Sequence, residues 1–205
     1  MLKLNLINLE NMIQYVSKRE RKMVLNLFKD CKPDSYVPSI YDIRYPKLSQ
    51  NGIKYAIFDV DCTILPFDDI NVTEENEVLF RYINNLGIQS ALCSSSFDSR
   101  VRPVAEALNI NYMSSAPKPF VKFSSIAQLF DGECSPDEVV YIGDSLYLDM
   151  YLAAKINVHK ILVDMIQGDF NVKYYTNEVM QNAMFMNMKQ YGLVKKKYYR
   201  GFIER

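Results

Sequence analysis

Residues 53–63 read Ile53-Lys54-Tyr55-Ala56-Ile57-Phe58-Asp59-Val60-Asp61-Cys62-Thr63, an apolar run that stops at two aspartates two positions apart. A run this short, rich in Ile, Tyr and Phe, has the signature of a strand buried on both faces. The pattern recurs downstream, with apolar runs at 89–93, 110–113, 139–142 and 158–163. Between them, 74–86, 97–108, 119–130 and 146–155 have the length and period of amphipathic helices. Such alternation predicts an α/β protein, a three-layer α/β/α sandwich on a parallel sheet of about five strands joined by right-handed crossovers. Ligands bind such sheets beyond the carboxyl ends of the strands, where the strand order reverses, so the residues just after each run are the ones to inspect.

The composition permits a packed core and excludes several other classes. Of 205 residues 49% are hydrophobic and 23% charged, with 7 Gly and 8 Pro, which rules out a disordered or collagen-like chain. Lysine plus arginine balances aspartate plus glutamate at 24 each, so no global field draws the whole chain to nucleic acid or membrane. The distribution is uneven, however: residues 1–30 carry +3, residues 31–170 carry −8 and residues 171–205 carry +5. Cys31, Cys62, Cys93 and Cys134 form no CxxC pair, and with the single His159 they build no zinc site of the usual spacing. They read as reduced thiols in a cytosol-like compartment. The first residues alternate Leu and Asn instead of forming a signal peptide, and no run is long and apolar enough to span a bilayer. A cytoplasmic protein is expected, with peripheral membrane contact left open by its basic ends.

The strand ends carry the chemistry. The first predicted strand delivers Asp59 and Asp61, and the fourth delivers Gly143-Asp144-Ser145, with Asp149 five positions beyond Asp144. Carboxylates crowded at the mouths of buried strands repel one another unless a cation neutralises them, and Mg²⁺ suits an all-oxygen set of this kind. The second strand ends in Ser94-Ser95-Ser96, which offers hydroxyl and backbone N–H donors, and Lys118 follows the third. Acids, a hydroxyl, a lysine and further acids in this order are what phosphoryl transfer through an aspartyl-phosphate needs. One carboxylate attacks phosphorus and another protonates the leaving oxygen, while metal, lysine and hydroxyl hold the phosphoryl oxygens.

On these residues the chain resembles the haloacid dehalogenase superfamily of phosphatases, whose four motifs match Asp59-x-Asp61-x-Thr63, Ser94, Lys118 and Gly143-Asp144-x4-Asp149. The resemblance spans roughly residues 32–165. The stretch from Lys32-Pro33-Asp34-Ser35 to Asp42-Ile43 looks like the YqeG-type branch of subfamily IIIA, related to phosphatidylglycerophosphate phosphatases. The resemblance implies a Rossmannoid fold and a hydrolase of phosphomonoesters. It also implies that Asp59 is nucleophile and metal ligand, and that Asp61 is the general acid/base and reaches the metal through its backbone carbonyl. Asp144 and Asp149 would complete or support the Mg²⁺ site, and Thr63, Ser94, Ser95 and Lys118 would bind substrate. The branch usually carries Asn where this chain has Cys62, and again where it has Ser95 and Ser96.

Spacing adds an inference about the substrate. Thirty-two residues separate Asp61 from Ser94 and twenty-three separate Ser94 from Lys118, too few in either case for a cap domain. A site without a cap can admit a phosphate displayed on something large, such as a phospholipid headgroup or a phosphoprotein.

Residues 1–31 read as a helical extension, with an apolar stripe at Leu9, Met12, Ile13, Val16, Met23, Leu27 and Phe28, and residues 32–170 as the catalytic domain. Residues 171–205 read as a helical, basic extension, its helix capped by Thr176 and stopped at Gly192. For the run Lys195 to Arg200 a solvated tail is weighed ahead of anionic lipid, and anionic lipid ahead of nucleic acid. The competing functional reading is a catalytically silent binding module acting through these basic ends. Smaller features have plain readings: Cys62 as a buried filler before a redox switch, and His159 as structural. Asp68 and Asp69 read as loop acids, Ser95 and Ser96 equally as phosphate ligands or helix caps, and Met180, Met184, Met186 and Met188 as packing. The sequence carries no signal of oligomeric state.

Overall fold

The computed structural model describes residues 26, 28–67, 69–131, 134–167 and 172–205. Asp68 and the apolar stripe up to Leu27 lie outside these residues. In chain order the elements are β1 (Ser35–Val37), α1 (Tyr45–Gln50), β2 (Tyr55–Phe58), α2 (Glu74–Asn85), β3 (Gln89–Cys93), α3 (Asp98–Leu108), β4 (Asn111–Met113), α4 (Phe123–Ala127), β5 (Val139–Gly143), α5 (Tyr151–Lys155), β6 (His159–Val163) and α6 (Val172–Gln190). A π-helical turn, Leu146–Met150, leads directly into α5.

The six strands form one sheet in the order β1-β6-β5-β2-β3-β4, and every pairing is parallel. The chain winds outward from β2 through β3 to β4, then returns to lay β5 on the other flank of β2. The order therefore reverses between β2 and β5, and their carboxyl ends stand side by side. The expected alternation is present, with six strands where the periodicity indicated about five. The additional strand, β1, is three residues long and followed by Pro38, too short to register as an apolar run. Its structure comes from pairing Ser35, Tyr36 and Val37 with Ile161, Leu162 and Val163.

Alternation along the central strands builds two cores. Ala56, Phe58, Val140 and Ile142 face α1, α2 and α3, where Leu48, Leu79, Phe80, Ile83, Val101 and Val104 are buried against them. Ile57, Ala91, Cys93, Val139 and Tyr141 face the opposite way, onto Ile126 of α4 and Leu152 and Ala153 of α5. Burying each large side chain contributes about 1.5–3 kcal/mol, which makes β2 and β5 a rigid base for what their ends carry. A third cluster fills the space beneath the β1–β6 edge, where Tyr36, Leu146, Met150 and Leu162 meet Phe28, Cys31, Met188 and Val194.

The C-terminal region departs from expectation in two ways. Helix α6 spans Val172–Gln190, so Thr176 lies inside the helix and does not cap it; the stop at Gly192, with φ +69°, is as expected. In the basic run after it Lys195 and Lys196 are exposed, as in a solvated tail, but the run is docked at its far end. Tyr199 pairs antiparallel with Tyr36 through N–H···O bonds of 2.8 and 2.9 Å, covering the free edge of β1. Lys197 pairs with Asp164 at 3.0 Å, and Arg200 donates to the Asp42 carbonyl. Beyond them Ile203 enters the main core and Glu204 is fully buried, accepting from the Arg44 N–H. Nothing in a string of lysines and tyrosines signals such docking, because it depends on an exposed sheet edge formed 160 residues earlier.

Candidate active site

Asp59 is the first residue past β2, and its N–H donates to the Ile142 carbonyl at 3.0 Å, which ties it to the end of β5. Asp144 is the first residue past β5, so the strand reversal alone brings these two carboxylates together. Asp149 arrives from the π-helical turn, and carboxylate oxygens of Asp59, Asp144 and Asp149 lie within 4.8 Å of one another. Lys118, from the 3₁₀ turn after β4, inserts its ammonium between two of them, 2.8 Å from Asp59 and 2.5 Å from Asp149. The group is almost sealed from solvent: Asp149 is 0% exposed, Lys118 2%, Asp144 6% and Asp59 7%.

Electrostatics here are unbalanced. Burial drives the Asp59 carboxyl up to about 7 against the opposing pull of Lys118. Burial, reinforced by the charges of Asp149 and Asp59, holds Asp144 well above the ordinary carboxylate range. Burial pulls Lys118 down, but the Asp149 and Asp59 carboxylates outweigh it and keep the ammonium charged. Three carboxylates around one lysine leave an excess of negative charge in a dry pocket, which a divalent cation with oxygen ligands would neutralise. The donor set therefore fits Mg²⁺ or a similar hard cation.

The surroundings hold this set in place. The Thr63 hydroxyl donates to Asp144 Oδ1 at 3.2 Å and is buried, so it braces a carboxylate where substrate contact was expected. The Ser145 N–H donates to Asp149 Oδ2 at 3.0 Å. Gly143 is required sterically, since a Cβ there would stand 2.4 Å from Asp149 Cγ.

Asp61 sits apart from the three-carboxylate cluster. Its carboxylate is gripped by Arg100, with Nη2 at 2.5 Å and Nε at 2.7 Å, and by the Ser96 hydroxyl. Arg100 also donates to the Pro66 and Asp69 carbonyls, fastening the loop after β2 to the first turn of α3. Neither reading of Ser96 as phosphate ligand or helix cap matches this bond; the α3 cap position is Phe97, and no side chain caps it. Ser94 is buried, its hydroxyl accepting from the Ser96 N–H at 3.2 Å, whereas Ser95 is exposed and is not drawn into the cluster. Arg100 escaped sequence reasoning, although a basic residue one turn past the second motif was a usable signal.

Gln181 of α6 was missed as well. Its side-chain amide donates to the Asp144 carbonyl and accepts from the Leu146 N–H at 2.8 Å. An amide in mid-helix carries no sequence signal of such a contact. His159, at the start of β6, lies at the far end of that strand beside Asp34. Cys62 is buried in a left-handed turn with φ +62°, and burial pushes its thiol up to about 12. A neutral, buried thiol fits the filler reading and removes the basis for a reactive switch.

A doubly wound parallel sheet, a DxDxT turn at the switch strand, and an acid–lysine cluster assembled from the ends of β2, β4 and β5 are the arrangement on which the chain resembles the haloacid dehalogenase superfamily. The chain is 26% identical over 163 residues to Probable phosphatase YqeG of Bacillus subtilis (strain 168), covering 80% of this chain and 94% of that one. No protein-family model matches the chain. Among solved structures it is similar to an uncharacterized protein from Listeria monocytogenes serotype 4b, at 16% identity, covering 58% of this chain and 85% of that one with a TM-score of 0.44. It is also similar to the cobalt-bound deoxy-D-mannose-octulosonate 8-phosphate phosphatase of Haemophilus influenzae, at 16% identity, covering 70% and 94% with a TM-score of 0.42.

Proposed function

We propose that this protein is a Mg²⁺-dependent phosphoric monoester hydrolase working through phospho-Asp59. The observation that carries the reading is the Asp59 carboxylate beside the Lys118 ammonium, at 2.8 Å, within a cluster of three buried aspartates. The likeness to Probable phosphatase YqeG supports it.

In this reading Asp59, Asp144 and Asp149 would hold the cation, and the Asp61 backbone carbonyl would be a further ligand. When bound, Mg²⁺ neutralises the carboxylates and the phosphoryl oxygens. Asp59 attacks phosphorus, forming an acyl phosphate as the ester oxygen leaves. Asp61, two residues past the nucleophile and held by Arg100 and Ser96, gives that oxygen its proton and then takes one from the water that hydrolyses phospho-Asp59. Lys118 offsets charge on the transferring group while keeping Asp149 in place, and the Ser94 hydroxyl and the backbone N–H groups after β3 receive a phosphoryl oxygen.

Among the described residues the interval between Asp61 and Ser94 holds a single helix, α2, and no inserted domain. Phe97, just after β3, and Phe120, two residues past Lys118, are each 80% exposed. Two aromatic rings in water on the loops that carry the site suit a phosphate borne on a large amphiphile, such as a phospholipid met at a membrane surface. The protein would then be cytoplasmic and peripheral; no helix among the described residues is long and apolar enough to cross a membrane. For the binding-module alternative, Lys197 and Arg200 are engaged within the fold, whereas Lys195 and Lys196 are exposed and open to a partner.

Hydrolysis of an aryl phosphate tests the mechanism. Turnover is expected only with added Mg²⁺, with a loss on the order of 10⁴–10⁶ in Asp59→Asn and about 10²–10⁴ in Asp61→Asn. Undiminished turnover in Asp59→Asn refutes covalent catalysis. Faster hydrolysis of a phospholipid monoester in mixed micelles than of a soluble sugar phosphate supports the amphiphile; the reverse order removes it.

A further inference from the structure

Asp144 and Leu146 flank the turn on which two of the three clustered carboxylates stand. β5 ends at Gly143, so the Asp144 carbonyl has left the sheet ladder, and Leu146 opens the π-helical turn, where its N–H precedes any intrahelical partner. Both groups are buried, and an unpaired buried backbone group is costly. One side chain satisfies both: Gln181 donates from Nε2 to the Asp144 carbonyl and accepts at Oε1 from the Leu146 N–H. Gln181 is itself 8% exposed, so water does not readily replace it. With the Ser145 N–H on Asp149 Oδ2, the amide closes a ring of hydrogen bonds around the Ser145 peptide and sets the direction in which Asp144 projects.

We infer that Gln181, on the C-terminal helix and outside the stretch that carries the four motifs, is a positioning residue for the cation-binding turn. It touches neither substrate nor cation and acts through the backbone of Asp144 and Leu146. The helix that bears it is also anchored away from that turn, through Phe185, whose ring stands edge-on to Tyr36 of β1 at 5.6 Å. The residues after 171 thereby become part of the active-site scaffold. This inference rests on the metal-dependent reading above.

The test is direct titration of Mg²⁺ into the full chain without substrate, followed by calorimetry, alongside thermal melting. Gln181→Met keeps length and apolar bulk but removes both hydrogen bonds, and it should weaken Mg²⁺ binding about tenfold, as loss of a partner behind the ligands typically does. Phe185→Ala, on the same helix, should lower the melting temperature while leaving Mg²⁺ affinity near wild type. If Gln181→Met does not melt cooperatively, Gln181→Asn takes its place, since it keeps a neutral amide but is one methylene too short to span both backbone groups, and it too should bind Mg²⁺ more weakly. Wild-type affinity in the Gln181 variant, or an equal loss in Phe185→Ala, overturns the positioning role alone. A wild-type chain that binds no Mg²⁺ overturns this inference together with the metal-dependent reading.

Discussion

At the scale of single residues, the cluster is organised around a conflict that burial creates. Asp59 has an ordinary value of 3.8 and is raised to about 7, with burial outweighing the attraction of Lys118. The folded, metal-free chain therefore keeps a proton that the unfolded chain has released across that interval. The stability this proton gives is complete below 3.8 and is lost as pH rises through about 7. Metal-free protein should melt at progressively lower temperature as pH climbs through this window, and added Mg²⁺ should reverse the trend. Because Mg²⁺ needs the ionised carboxylates, its affinity should rise with pH over the same range, and Asp144, also shifted upward, pushes in the same direction. Melting curves and Mg²⁺ titrations across that range check both expectations. Cys62 shows the backbone side of the same economy of space: its left-handed φ of +62° is a conformation that Asn adopts more readily than Cys.

At the scale of elements, the end of β5 and the π-helical turn after it work as one unit. Asp149 is fixed by Lys118 on one oxygen and by the Ser145 N–H on the other, so it has no room to retreat. A methyl group at Gly143 would overlap its carboxylate, with Cβ 2.4 Å from both Cγ and Oδ2. Gly143→Ala should destabilise the fold by about 1–3 kcal/mol through overpacking, measured by denaturant unfolding. It should also weaken Mg²⁺ binding by more than that loss of stability accounts for, because displacing Asp149 releases Lys118 as well. The first turn of α3 plays a comparable part for Asp61. Arg100 joins it to the Pro66 and Asp69 carbonyls, so the general acid/base candidate and the loop beside it form one hydrogen-bonded piece.

At the scale of the whole molecule, the chain closes on itself. The last residues run antiparallel beside β1, bury Ile203 in the main core and hang its carbonyl on the Asn51 side chain at 3.2 Å. An edge strand left bare invites pairing with other chains, and the Tyr199 segment removes that hazard. Ile203→Ala should cost about 2–5 kcal/mol, seen as an earlier midpoint in urea unfolding, whereas a free tail would tolerate the change. Phe202, 79% exposed, is the neighbouring control, and Phe202→Ala should leave the midpoint nearly unmoved.

Much of this architecture was legible before any coordinates, because it depends on interactions short in sequence. Apolar runs of strand length at 53–58 and 139–142 declare themselves by composition, and an acid just past a buried strand must lie at its mouth whatever surrounds it. The order of Asp59, Ser94, Lys118 and Asp144 along the chain therefore contained the outline of the site. Other features depended on which strands become neighbours and which segments fold back over them. The partnership of Arg100 with Asp61, the Thr63 brace on Asp144, the Gln181 clasp, the strand at Ser35–Val37 and the docking of Tyr199 and Ile203 all belong to that group. In each, the partner lies dozens to more than a hundred residues away or turns on a side-chain direction that periodicity does not encode, and the contact exists only once the β2–β5 reversal has formed.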